Sequence, residues 1–321
     1  MELPIKNAIP SEFLEEEVRC DYYVSTEVKA LWAVQIDLLE ELKRICAKYN
    51  LVYFADSGTL LGAIRHKGYI PWDDDIDIVM KRNDYNKLIQ VAEYEFRDPY
   101  FLQSAHSEIF PRGYARLRNS KTTALTRYDL GKDINHGIFI DIFPLDNIPD
   151  DDRVRKKWIK KIKTINEFLK YGYASTIYER DTKENFIKFI IKYIRAKVVY
   201  GVVGYNKLIS LYENVCSEYN KSDTKKISYV SYSLGKNKHI WDRDVFSSGH
   251  SVKFEFTDIF IPDGYDSRLR TEYRDYMKIV HASTTHGSMI VDVRTPYKEY
   301  MKLHAESDLK RYIENNKGEE I

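Results

Sequence analysis

Asp73, Asp74, Asp75 and Asp77 put four carboxylates into five consecutive positions of a 321-residue chain. Carboxylates packed that closely repel one another, and a folded chain tolerates them best around a cation. Read as a strand, the run from Ile76 to Met80 has a two-residue period that turns Ile76 and Ile78 inward and aims Asp75 and Asp77 at one face. Hard oxygens gathered on one face suit Mg²⁺ or Mn²⁺. A second signal lies in Gly137-Ile138-Phe139-Ile140-Asp141-Ile142-Phe143-Pro144, where a single Asp interrupts an apolar strand. A lone charge in such a run costs several kcal/mol unless it is paired or bound to metal. If the two strands are neighbours, Asp141 completes a triad with Asp75 and Asp77, the candidate catalytic and metal-holding residues. The plain alternatives are an acidic turn in solvent and an Asp that caps a strand end.

Other carboxylate and phosphate motifs fail on their own rules. An EF-hand counted from Asp73 would need Gly and Glu where the chain has Ile78 and Asp84. Gly131-Lys132-Asp133 does not close a P-loop, and no GxGxxG occurs. A DxD motif from a metal-dependent sugar transferase uses the same logic and stays as a minor alternative.

The elements that must position these residues can be read from spacing. Apolar residues at three- and four-residue intervals predict an amphipathic helix over 26–49. A short strand over 51–54 leads to Ser57, which is expected to cap a helix over 59–64. After the acidic strand, Asn83 or Asp84 is expected to cap a helix to about Glu95, and further strands are read at 112–118, 122–128 and 137–143. Pro144 and Pro149 mark a boundary. From Arg153 to Lys197 there are 14 Lys or Arg against 4 Asp or Glu, on a helical apolar pattern that continues over 205–219. Strands return after Ile227, notably over 252–261, followed by a helix near 267–278 and a charged tail from Ala305 that is expected to fray. The reading is α+β, divided into a catalytic core over 1–150, a basic helical region over 151–225, and a C-terminal α/β segment over 226–321 that completes the site.

Bulk properties bound the function. Fifty Lys plus Arg against 49 Asp plus Glu leave a net charge of +1, so no overall field favours nucleic acid. Cys20, Cys46 and Cys216 form no close pair, the start has no apolar signal core, and no run of apolar residues spans a bilayer. A cytoplasmic enzyme is expected.

The motifs carry a resemblance. SGTLLGAIRHKGYIPWDDDIDI resembles the signature of the LicD family of phosphocholine transferases, which also resembles fukutin and its relative. GIFIDIFPLD is similar to that family's second block, and IPDGYDSRLRTEYRDYM to its C-terminal one, with Arg274 where the family shows Gly and the expected His-rich tail reduced to His281 and His286. The resemblance implies a nucleotidyltransferase-like mixed sheet flanked by helices, with a mainly helical insertion or second unit. It implies a CDP-alcohol donor such as CDP-choline, a glycan acceptor built on a lipid carrier, and CMP as the leaving group. Asp75 and Asp77 would hold the metal, and Asp141 would bind a second metal or accept the acceptor's proton. Ser57, Gly58 and Thr59 would meet a phosphate, with Arg65, His66, Lys67, Arg116 and Arg118 as further nucleotide or diphosphate contacts. Trp72 is read as core, and Tyr265, Tyr273 and Tyr276 as packing under the site or meeting choline. The same chemistry with glycerol phosphate, ribitol phosphate or phosphoethanolamine, nucleotidyl transfer from an NTP, and a non-catalytic membrane adaptor are the competing functions. The basic region is expected to meet the anionic inner face of a membrane.

Overall fold

The computed structural model describes residues 2–126, 130–173, 186–281 and 289–315. The far end of the strand expected over 122–128, part of the basic stretch, His286 and the last residues of the tail lie outside the described residues. A short hairpin, β1 (Glu17–Arg19) with β2 (Tyr22–Val24), precedes the long helix α1 (Thr26–Tyr49). Next come β3 (Phe54–Ala55), α2 (Ser57–Arg65), β4 (Asp77–Lys81), α3 (Arg82–Glu95), β5 (Tyr100–Gln103), β6 (Ala115–Asn119) and β7 (Thr123–Leu125). Strand β8 (Ile138–Ile148) leads into helices α4 (Asp152–Tyr173), α5 (Phe186–Val203) and α6 (Tyr205–Cys216). Then follow β9 (Lys226–Ser228), α7 (Val230–Ser233) and β10 (Trp241–Asp242). The last stretch holds the hairpin β11 (Gly249–Phe254) and β12 (Thr257–Pro262), then α8 (Tyr265–Tyr273), β13 (Ile290–Asp292), α9 (Tyr297–Leu303) and α10 (Glu306–Asn315). The fold is α+β.

Two compact units make up the chain. The first contains Met1–Gln103, Ala115–Ile142 and Asp244–Ile321; the second contains Ser104–Tyr114 and Phe143–Arg243.

In the first unit the strand order is β5–β6–β8–β4–β3. The two aspartate-bearing strands are therefore neighbours, and the Asp141 N–H donates to the Ile76 carbonyl at 2.9 Å. Helix α1 starts at Ser25, whose hydroxyl accepts from the Val28 N–H at 3.4 Å, and stops at Asn50 with φ 52°. Its spacing predicts one apolar stripe, yet nearly every side is buried. Trp32, Ile36, Leu39 and Leu42 pack with Ile76, Ile78, Ile140 and Phe254, while Leu31 and Val34 meet Ala124, Ile138 and Phe139. Polar residues inside α1 are satisfied by remote partners: Asp37 accepts from the Lys6 and Asn7 N–H groups at 3.0 and 2.9 Å and from the Tyr100 hydroxyl at 2.9 Å.

Several boundaries differ from the spacing. Strand β4 begins only at Asp77, so alternation does not place Asp75. Helix α2 is capped at Asp56 and not at Ser57, and α3 starts at Arg82 with Lys81 as its cap residue. Pro144 sits inside β8, where it is tolerated because pairing with β6 ends at Ile142 and pairing with β9 begins at Asp146. The tail forms a helix up to Asn315, anchored by Leu309, which is buried with Leu125 and Ile290.

In the second unit α4 lays Trp158, Ile162, Ile165 and Leu169 against Leu208, Ile209, Tyr212 and Val215 of α6. The Trp158 indole N–H donates to the Val215 carbonyl at 2.8 Å. Among the described residues no helix is long and apolar enough to cross a membrane.

Candidate active site

The acidic run is a loop held by its backbone. Trp32 Nε1 donates to the Asp73 carbonyl at 3.0 Å and Gln35 Nε2 to the Asp74 carbonyl at 2.7 Å. Gln35 is itself fixed by the Tyr69 hydroxyl at 3.0 Å, and Tyr69 stacks on Trp32 with ring centres 4.5 Å apart. The polar residues of α1 thus grip the main chain and leave the carboxylates turned toward one another. Asp73, Asp74 and Asp75 each offer an oxygen within 4.8 Å of the others. Asp77 closes the loop: its N–H donates to Thr59 Oγ1 at 2.8 Å and its carbonyl accepts from the Asp56 N–H at 3.0 Å.

Gly58 explains how α2 comes so close. A Cβ there would lie 2.5 Å from Asp73 Oδ2, so only glycine lets the start of the helix touch that carboxylate. The side chain of the cap residue Asp56 makes no capping hydrogen bond of the usual kind into α2. Its carboxylate is taken by Arg268 of α8, with Nε to Oδ1 at 2.6 Å and Nη2 to Oδ2 at 2.7 Å, both side chains out of water. The same guanidinium reaches Glu272 at 2.8 Å and Ser57 Oγ at 3.3 Å. Ser57 follows with φ 48°, a left-handed turn that aims the first residues of α2.

Asp141 lies opposite Arg116 on the neighbouring strand, and Arg116 Nε donates to Asp141 Oδ1 at 2.7 Å. The Arg116 guanidinium also stacks 3.9 Å from the Phe139 ring centre. Arg118, two residues on, is fully buried and donates to Gln103 Oε1 at 2.8 Å and to the Gly137 carbonyl at 2.6 Å, which ties it to the scaffold. Arg65 donates to the carbonyls of Tyr276 and Lys278 at 2.8 and 3.1 Å and so holds the end of the third block. Lys67 is exposed, with its carbonyl accepting from the Glu255 N–H. Glu255 in turn accepts from Arg19 at 2.6 Å and from the Tyr69 N–H at 2.9 Å, fixing the turn ahead of the acidic loop. His66 lies edge-on to Trp72, which is buried and stacked on His281 with ring centres 4.5 Å apart. Burial and the neighbouring Arg65 charge depress the His66 imidazole to about 4, so it is neutral at neutral pH.

Electrostatics draw the carboxylates into one group. Burial raises Asp77 well above the usual carboxylate range, and the charges of Asp75, Asp141, Asp56 and Asp73 push it further. Burial also raises Asp73, with Asp75 and Asp74 adding to it. Asp56 is raised by burial, against the pull of Arg268. Asp75, Asp77 and Asp141 are therefore close enough to feel one another; Asp73, read from the sequence as part of the acidic cluster but not of the triad, acts on Asp77 with them, and the sequence missed that Asp56 does too. Half-buried oxygens that are unfavourable as bare anions form a donor set that fits a hard divalent cation. Spacing could not find Arg268, which looks like any charged residue on a polar helix; its only signal was its place in the third block.

Residues 50–185 match the family described as LicD/FKTN/FKRP, nucleotidyltransferase domain. The chain is 26% identical over 252 residues to the lipopolysaccharide cholinephosphotransferase LicD of Haemophilus influenzae, covering 77% of this chain and 89% of that protein. An uncharacterized protein of Rickettsia prowazekii is 34% identical over 136 residues, 42% of this chain and 46% of that one. Another from Rickettsia typhi is 45% identical over 62 residues, 19% of each. The family match takes in the acidic loop, Arg116 and Asp141 but stops short of Arg268.

Proposed function

From a chain that carries a LicD-family nucleotidyltransferase domain, we infer a phosphotransferase that moves phosphocholine from CDP-choline to a hydroxyl of a cell-surface glycan and releases CMP. The observation that supports this reading is the close grouping of the Asp73, Asp74 and Asp75 oxygens, within 4.8 Å of one another, with Gly58 at the start of α2 against Asp73 and with Asp77 feeling the charges of Asp75 and Asp141. Similarity to a lipopolysaccharide cholinephosphotransferase supports phosphocholine as the cargo and a lipopolysaccharide-type acceptor.

In the transfer the acceptor oxygen attacks the phosphorus bearing choline, the bond to the CMP oxygen breaks, and the acceptor proton is released. Such a displacement depends on positioning and charge neutralisation more than on covalent help. Asp75 and Asp77, with Asp73 beside them, would hold Mg²⁺ or Mn²⁺, which when bound supplies positive charge to the diphosphate and the departing CMP. The Ser57 hydroxyl and the first N–H groups of α2 would receive a phosphate oxygen, with Arg268 holding Ser57 from behind. Asp141, engaged by Arg116 through Oδ1, would serve the cation through its other oxygen.

The test is CMP release from CDP-choline, CDP-ethanolamine, CDP-glycerol and CDP-ribitol in the presence of acceptor and Mg²⁺, with and without EDTA. Release from CDP-choline that EDTA stops supports the reading. Release from a different donor keeps the chemistry and changes the cargo. Pyrophosphate formed from an NTP would replace it with nucleotidyl transfer, and silence with every donor would sink it.

A further inference from the structure

Helix α5 is apolar on two opposite faces. One goes inward: Phe189 and Ala196 are fully buried, packed with Tyr171. The other carries Ile187, Ile191, Ile194, Val198 and Val202, each 57–82% exposed. At 3.6 residues per turn these five fall within an arc of about 80°, a continuous aliphatic stripe along the helix. A Cβ added at Gly201, beside the stripe, would meet nothing within 4 Å, so this side of the helix is open.

Cations frame the stripe. Lys188 and Arg195 border it on one side and Lys197 on the other, with Lys192 behind Lys188, and the helix contains no acid. Two of them are also tied to α4, Lys197 through the Gly172 carbonyl at 2.9 Å and Lys192 at 3.6 Å from Glu167. The Arg195 guanidinium lies 5.0 Å from the Phe168 ring centre. In these three it is the charged end itself that meets α4, so their aliphatic stems run along the flanks of the apolar stripe.

Five branched aliphatic residues in a row are more than a soluble surface ordinarily shows to water. Four cations within the helix prevent it from spanning a bilayer, and no described helix meets the length and apolarity for that. An aliphatic face bordered by Lys and Arg, with no acid, matches a lipid surface: acyl chains for the stripe and anionic head groups for the cations. We propose that α5 lies in the plane of an anionic bilayer surface, its Ile and Val stripe sunk to the acyl boundary. This does not depend on the chemistry assigned above.

The experiment is flotation of the full-length chain with vesicles of phosphatidylcholine alone or mixed with phosphatidylglycerol, at low salt and at about 1 M, where the Debye length is about 3 Å. The chain should float with the anionic vesicles at least about tenfold more than with the neutral ones, and part of the binding should survive high salt because the aliphatic contribution is not screened. Ile191→Asp combined with Val198→Asp should lose binding by about tenfold or more with an unchanged Tm, since both side chains are exposed. Val202→Trp should increase it, because Trp favours the membrane interface. No flotation with anionic vesicles, or equal flotation of the stripe variant, overturns the proposal. So does a wild-type dimer by light scattering that the stripe variant turns into a monomer, which would give the stripe to a second copy of the chain.

Discussion

Asp77 is buried among four other carboxylates, so replacing it by Asn removes repulsion from the folded state while removing a ligand oxygen from the cluster. In the absence of metal the Asp77→Asn protein should melt at the same temperature as wild type or a few degrees higher, and Mg²⁺ should no longer raise its Tm. CMP release should fall by orders of magnitude. Thermal melts with and without Mg²⁺ separate the two effects, and a Mg²⁺ response left intact in both Asp75→Asn and Asp77→Asn would take the metal away from this loop. Arg268 has the opposite sign. Its loss leaves Asp56 buried without its cation, and breaking a buried pair of this kind costs about 3–5 kcal/mol. Arg268→Met should lower stability in urea by that amount, and Asp56→Leu in the same chain should return much of it; no return would mean that Arg268 acts through Glu272 and not through Asp56. The two residues also differ in how they could be read. Asp75 and Asp77 stand out within a run of four carboxylates in five positions, and Asp141 because it interrupts an apolar strand. Arg268 sits among charged neighbours 212 positions from its partner, and only the folded chain reveals that it is buried.

Helix α8 ends at Arg274 with φ 56° and ψ −106°, in the left-handed half of conformational space that an L side chain adopts only at a cost. The LicD pattern has Gly at this position. The Arg274 side chain is exposed, so its removal loses little packing. Arg274→Gly should therefore stabilise the protein by about 1 kcal/mol, a Tm rise of about 2–4 °C by calorimetry; a fall would show that the arginine makes contacts that outweigh the backbone strain. At this scale the sequence was most legible where one force dominates. The limits of α1 followed from its apolar spacing alone, and the structure adds Ser25 and Asn50 as its caps. Competing forces hid the rest. Asp75-Ile76-Asp77 alternates as a strand does, yet Trp32 and Gln35 draw the backbone of Asp73 and Asp74 into a loop. By residue type Ser57 is a good helix cap, but the cap position falls to Asp56, whose carboxylate goes to Arg268. No local pattern in the charged tail announces that Leu309 will find Leu125 and Ile290.

At the scale of the molecule, the first unit is assembled from three separated stretches of chain, and its last stretch begins at Asp244. That stretch lies wholly beyond the residues matched to the family domain. It supplies Arg268 to Asp56, and it supplies Glu255 to Arg19 and to the Tyr69 N–H. It also contributes Phe254, Ile259, Ile261 and Leu269 to the core, all fully buried. Each such side chain contributes about 1.5–3 kcal/mol by leaving water, and domains have only about 5–15 kcal/mol of net stability. A chain ending at residue 243 should therefore lose the fold of its first unit, including the loop that gathers the carboxylates. The second unit draws all its residues from Ser104–Tyr114 and Phe143–Arg243, so its α4–α6 packing keeps every partner described for it. Hydrogen exchange followed by mass spectrometry distinguishes the two: protection should vanish over α1, α2 and β4 and persist over α4 and α6. Added as a separate polypeptide, residues 244–321 should restore protection to α2 first, because Arg268 and Leu269 bring both the ion pair and the apolar contact to that helix. Cooperative melting of the truncated chain with α2 still protected would show that residues 1–243 hold the site together without the C-terminal stretch.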